Sequence, residues 1–217
     1  MASTIPKIIH AVWVGSGLPE RYARNLKRWH SLHPDWILHT WFDKDLDWLE
    51  NQSLYGAAPS IVAPDAVGQF RSDVARYEIL LKYGGLYVDC DTYPLRPVDS
   101  ALIGLNDFAA AEDEQWVGNT YLACTPGHPA MAELVDGLRH NVRSFRRHTR
   151  RASPLSGPRY LTPIWRRHQC YVAPTRQWFP VSYHDAKAGR NQQEFDADVY
   201  AVHEWGHVRS LVERRHR

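Results

Sequence analysis

The chain has 217 residues, a net charge of +2 at pH 7, 44% hydrophobic and 23% charged residues. That length suits one domain, and that balance excludes disorder, collagen and coiled coil. No run of ~18 apolar residues offers a transmembrane helix, and MASTIPKIIHAVWVG lacks the ordered regions of a signal peptide, so the expectation is a cytoplasmic protein with Cys90, Cys124 and Cys170 reduced.

Residues 5–14, IPKIIHAVWV, are β-branched and apolar-rich and predict a buried strand. Gly15-Ser16-Gly17 is a turn, and Pro19-Glu20 opens a helix through His30 with Tyr22, Leu26 and Trp29 at helical spacing. His33-Pro34-Asp35 ends it. Residues 36–42 read as a second strand and residues 43–50 as a short helix. Residues 68–83 give the clearest helix, with Phe70, Val74, Tyr77 and Leu81 on one face, stopped by Gly84-Gly85. Residues 86–88 form a short buried strand ending at Asp89-Cys90-Asp91. Strands follow at 108–111 and 120–124, then a helix at 128–140. Residues 141–170 read as less regular, 172–174 and 199–202 as short strands, and 209–217 as a fraying basic end. Alternation of strand and helix predicts an α/β fold with a mostly parallel sheet, and ligands of such sheets bind at the carboxyl ends of strands. Trp13 to Gly17 and Asp89 to Asp91 lie at such ends.

Asp89 and Asp91 are two carboxylates two residues apart at a strand end. They suit a hard divalent cation that also binds a diphosphate. Asp73 and Arg76 sit three apart on the helix, near one face. Taken alone, that pair reads first as a surface ion pair worth ~0–1 kcal/mol, and second as a holder of hydroxyls or phosphates.

RSDVARYEILLKYGGLYVDCD closely resembles the sugar-nucleotide-binding signature of glycosyltransferases with an Asp-x-Asp motif, family 32 among them and, more distantly, the large clostridial glucosylating toxins. Ser72, Asp73, Arg76, Leu80, Gly84, Gly85, Tyr87, Asp89 and Asp91 fall in its register. IPKIIHAVWVG, NLKRWHSLHPDWILHTWFD, Asn119 with the PGHP turn, and SGPRYLT at 156–162 resemble further blocks of the same family. The resemblance implies a GT-A fold over residues 1–217 as a single domain, with 1–138 as donor-binding core and 139–217 as a basic acceptor-side and closing segment. It implies a metal-dependent, retaining transferase that uses Mn2+ or Mg2+ and a UDP or GDP sugar. Trp13 would stack on the base. Asp73 and Arg76 would bind donor sugar and phosphate, and Tyr87 would line the diphosphate pocket. Asp89 would contact ribose, sugar or metal-bound water, and Asp91 would ligate the metal. In the closing segment VHEWGHVRS, His203 and Trp205 match the family's His-x-Trp. His203 is then a metal ligand, Trp205 and Asn119 are substrate contacts, and His207 stands in for a missing Ser-Trp pair.

Two other readings stand beside this one. His203-Glu204-Trp205-Gly206-His207 spells H-E-x-x-H, the zinc metalloprotease motif, which needs both His on one helical turn. Residues 139–151, RHNVRSFRRHTRR, hold six Arg and two His in a C-terminal part of net +10 that follows an N-terminal part of net −8. With Phe145, Tyr160 and Trp165 nearby, that stretch suits a nucleic-acid-binding module. In a transferase it suits an anionic acceptor: DNA, a lipid phosphate or an acidic glycan.

Overall fold

The computed structural model describes residues 5–189 and 194–206. In chain order it holds β1 (Ile8–Val12), α1 (Glu20–Leu32), β2 (Ile37–Trp41), α2 (Gln52–Ile61), α3 (Val67–Tyr83), β3 (Gly85–Val88), β4 (Thr92–Pro94), α4 (Asp99–Leu102), β5 (Asp107–Ala111) and β6 (Val117–Cys124). Then come α5 (Pro129–Phe145), α6 (Ala152–Leu155), α7 (Pro158–Arg167), β7 (Val172–Ala173), α8 (Thr175–Trp178), α9 (Tyr183–Lys187) and β8 (Ala201–His203).

Six strands form one sheet in the order β2-β1-β3-β6-β5-β7. Pairings β1 with β2, β1 with β3, and β5 with β7 are parallel, while β6 runs against both its neighbours. Five strands therefore point one way and the sheet is mostly parallel. Period-2 alternation splits its side chains between two cores. Leu86, Val88, Phe108, Ala110, Tyr121 and Ala123 face α1, α8 and β8. Tyr87, Ala109, Leu122 and Cys124 face α2, α3, α5, α6 and α7. A second small sheet pairs β4 with β8 and ties the C-terminal segment to the chain just after Asp91.

The predicted strands and the three long helices appear with small boundary shifts. Gly85 is required where it stands. Its φ is +92°, and a Cβ there would sit 2.5 Å from the Ile8 carbonyl. Two expectations are corrected. Residues 43–50 do not form a helix beyond a single 3-10 turn at Asp43–Asp45. The helix is α2, over residues 52–61, and it contains both Gly56 and Pro59. Pro59 leaves the Tyr55 carbonyl without its usual backbone donor, and the Arg71 Nε supplies one at 3.1 Å. Residues 141–170 are not irregular: α5 runs to Phe145, and α6 and α7 follow, each held by buried apolar residues such as Leu155, Leu161 and Trp165.

Candidate active site

Helix α3, β3 and β6 bring the core of the site together. Arg76 lies between two carboxylates, 3.1 Å from Asp73 Oδ1 and 3.1 Å from Asp89 Oδ1. The Asp73–Arg76 pair is buried, with side chains 1% and 2% exposed, so the surface ion-pair reading is overturned. Tertiary donors complete it. Asn119 Nδ2 donates to Asp73 Oδ1 at 2.8 Å, Ser156 Oγ donates to Asp73 Oδ2 at 2.7 Å, and Arg76 also donates to the Asn119 carbonyl. Burial pushes the Asp73 carboxyl up to about 6, with Arg76 and these donors pulling it back. Burial would lower Arg76, but Asp89, Tyr87 and Asp73 hold it more firmly protonated than usual.

At the end of β3 the chain turns tightly. Thr92 N–H and Thr92 Oγ1 both donate to the Asp89 carbonyl, at 3.1 and 2.6 Å. Cys90 points inward, its thiol 3.5 Å from the Val12 carbonyl. Asp89 and Asp91 are left half-buried at one cleft. His203, brought in by the pairing of β8 with β4, reaches Asp91 Oδ1 through Nε2 at 3.1 Å. Gly206 N–H donates to Asp91 Oδ2 at 2.8 Å, and a Cβ on Gly206 would collide with the Tyr22 hydroxyl. One ligating atom from each of Asp89, Asp91 and His203 lies within 4.8 Å of the others. Burial would lower the His203 pKa, but Asp91 and then Asp89 raise it above the ordinary histidine value.

Residues 19–121 match the family described as the glycosyltransferase sugar-binding region containing the DXD motif. That match runs from the start of α1 into β6, the part of the chain that holds Asp73, Arg76, Asp89 and Asp91. Among curated relatives it is similar to inositol phosphoceramide mannosyltransferase 3 of Schizosaccharomyces pombe, 28% identical over 172 residues that make up 76% of this chain and 46% of the relative. It is also similar to mannosyl phosphorylinositol ceramide synthase CSH1 of Saccharomyces cerevisiae, 26% identical over 165 residues, 76% of this chain and 43% of the relative. The chain thus spans less than half the length of these relatives. Among solved structures it superposes on the PaToxG glycosyltransferase with a TM-score of 0.59 at 17% identity, covering 76% of this chain and 70% of that one. The UDP-bound glycosyltransferase domain from the YGT toxin follows, with a TM-score of 0.55 at 11% identity, covering 79% and 80%. The fold is GT-A.

The other expected site residues take varied places. Trp13 stands at the carboxyl end of β1, half-buried, with its indole N–H on the Ser16 carbonyl at 2.9 Å and its ring 5.4 Å from Tyr22. The turn beside it is pinned by Asp43, which accepts from Gly15 N–H at 2.7 Å. Tyr87 does not line an open pocket. It is fully buried, its hydroxyl donates to Asp89 Oδ1 at 2.9 Å, and its ring lies 4.3 Å from the Arg76 guanidinium. It reaches the cleft only through those two. Trp205 is likewise enclosed at 4% exposure, with its N–H on the Val181 carbonyl, and it backs the His203 ring at 4.2 Å.

The zinc protease reading fails on backbone geometry. His203 ends a strand and Trp205 has φ of +53°, so His203 to Trp205 is not helical, whereas H-E-x-x-H needs a helix. Glu204 is spent on Asn25 Nδ2 at 3.1 Å. His207 and residues 209–217 lie outside the described residues. The nucleic-acid reading loses two of its three aromatics: Phe145 is exposed, but Tyr160 and Trp165 are buried in the core, the first donating to the Leu134 carbonyl. Two of the six arginines are tethers, Arg139 to Asn51 and Glu50 and Arg150 to the Pro59 and Val62 carbonyls.

Two contributors escaped the sequence reading. Ser156 sits in a recognised block but carried no role until it met Asp73. Glu112, just past β5, has no role in the sequence reading. Burial pushes its carboxyl up to about 7, and His203, Asp113 and Asp89 all act on it.

Proposed function

We propose that the protein transfers a sugar from a nucleoside-diphosphate sugar to a hydroxyl acceptor, with Mn2+ or Mg2+ held by Asp91, Asp89 and His203. The observation that carries this reading is the convergence of those three side chains within 4.8 Å beside the buried Arg76. Two carboxylates and an imidazole suit such a cation, and the donor set contains no sulfur. The bound cation would offset negative charge growing on the departing diphosphate. The chain's own residues orient the rest. Tyr87 fixes Asp89 from below, and Asp73 and Asn119 fix Arg76, so its charge faces the cleft without reorganisation. Trp13 offers a half-exposed ring for a base at the carboxyl end of β1.

The expected family chemistry is retention of anomeric configuration. The relatives' names favour mannose as the sugar and a phosphorylated sphingolipid as the acceptor. The UDP-bound toxin domain keeps UDP beside GDP as donor base. An anionic acceptor also fits Arg143, Arg146 and Arg147, which are exposed.

The test is a thermal-shift screen of UDP, GDP and their common sugars, with manganese or with EDTA. One nucleotide should raise the Tm only with manganese, and Asp91→Asn should abolish the shift while remaining folded. The matching sugar should then be released or transferred, with configuration read by NMR. No shift from any nucleotide, on folded protein, would sink the reading.

A further inference from the structure

We propose that Asp107, His128 and Cys170 form a second metal site, of zinc type, at the end of the sheet opposite the DXD cleft. The topology places it there. Strands β5 and β7 run parallel to β1 and β3, so their starting ends face away from Asp89 and Asp91. Asp107 opens β5, Cys170 lies two residues before β7, and His128 caps the start of α5. Three segments distant in sequence thus deliver three different ligand types to one point. Their ligating atoms all lie within 4.8 Å of one another.

The side chains are already aimed. Asp107 Oδ1 is fixed by the Tyr171 N–H at 2.6 Å, which leaves Oδ2 facing His128 Nε2 at 3.3 Å. Cys90 and Cys124 donate their thiols to backbone carbonyls, whereas the Cys170 thiol makes no such bond among the described residues. Asp107 and His128 side chains are 19% and 11% exposed, shielded yet reachable by an ion.

Thiolate, imidazole and carboxylate together select zinc over magnesium or calcium. Three protein ligands leave a fourth tetrahedral position for water or another small ligand. Binding balances simply: the metal–sulfur bond forms as the Cys170 thiol gives its proton to solvent. The His128 ring proton shifts from Nε2 to Nδ1 as Nε2 takes the metal. That shift gives up the long 3.3 Å bond that Nδ1 accepts from Ala130 N–H.

Cobalt tests this site separately from the DXD cleft, because the cleft's own ligand set, Asp89, Asp91 and His203, contains no sulfur. Protein stripped with chelator and titrated with Co2+ should develop a near-ultraviolet thiolate-to-cobalt band that saturates at one equivalent. Zinc should bleach it. Cys170→Ser should lose the band, and His128→Asn, which keeps a helix-capping side chain, should weaken cobalt affinity at least tenfold. Asp91→Asn should leave the band intact, so failure of the cleft and failure of this site are read independently. No band in folded wild-type protein, or a band that survives in Cys170→Ser, overturns the proposal. Should Cys170→Ser not fold, Asp107→Asn takes its place, and an unchanged cobalt affinity there also overturns it.

Discussion

Glu112 carries an unusual charge state for a residue in a short polar loop. Its carboxyl is held near 7 by burial, against about 4.5 in an unfolded chain. Between those values the folded state binds a proton that the unfolded state does not. The stability this contributes is full below pH 4.5 and is lost as pH rises through 7. Glu112→Gln removes that loss. Urea unfolding should find the variant more stable than wild type by about 1–3 kcal/mol at pH 8, with the gap closing at pH 4.5. An equal gap at both pH values would show that burial does not govern this carboxyl. The run from Ser72 to Asp91 was readable because nine of its residues share one register within about twenty positions. Glu112 and Ser156 were not, because each joins the cleft through tertiary contact alone, and a short polar loop gives no periodic signal.

At the scale of elements, the legible ones are those whose local preference and burial agree. β3 is apolar throughout, and α3 ends where Gly84 and Gly85 take positive φ. Helix α2 shows the opposite case. Its Gly56 and Pro59 argue for a loop, and the helix survives because its neighbours supply what the sequence withholds. Tyr55, Ala58 and Ile61 are buried against α3. Glu78 accepts from the Glu50 and Asn51 N–H groups at the start of α2, and Arg71 answers the Tyr55 carbonyl that Pro59 cannot. Arg71→Met should therefore cost about 1–2 kcal/mol by denaturant unfolding, the worth of a buried-side hydrogen bond to a charged donor. In a Pro59→Ala background, where the restored backbone N–H can reach that carbonyl, the same substitution should cost clearly less. Equal costs in the two backgrounds would assign Arg71 to its contacts with Asp43 and the Tyr55 ring instead. The short strands β4 and β8 were invisible as a pair for a related reason: three residues each, they exist by pairing with one another across more than 100 positions.

Across the whole molecule, topology turns a charge asymmetry of the sequence into a geometry. β6 runs away from the cleft, so α5 starts at the far end of the sheet and returns toward the cleft. Its arginine-rich end leads through α6 to Ser156, which is bonded to Asp73. Arg151 lies five positions before Ser156, a span of at most about 18 Å even fully extended. The arginine-rich end of α5 thus lies toward the cleft end of a molecule whose first 138 residues carry a net −8. Arg143 and Arg146 are exposed there, and their side chains make no hydrogen bond or ion pair among the described residues. Together with Arg139 they border a groove of about 200 Å³ with Leu54, Ala57, Ile61 and Val142. Replacing both with Ala should leave stability within about 0.5 kcal/mol of wild type, because nothing in the fold depends on them. Under the transferase reading it should raise KM for a phosphate-bearing lipid acceptor several-fold, with kcat and donor KM unchanged. Rising salt should weaken wild type toward the double variant, since screening at 0.15 M already limits exposed charges to about 8 Å. An acceptor KM that ignores both salt and the two arginines would place acceptor recognition elsewhere on the cleft rim.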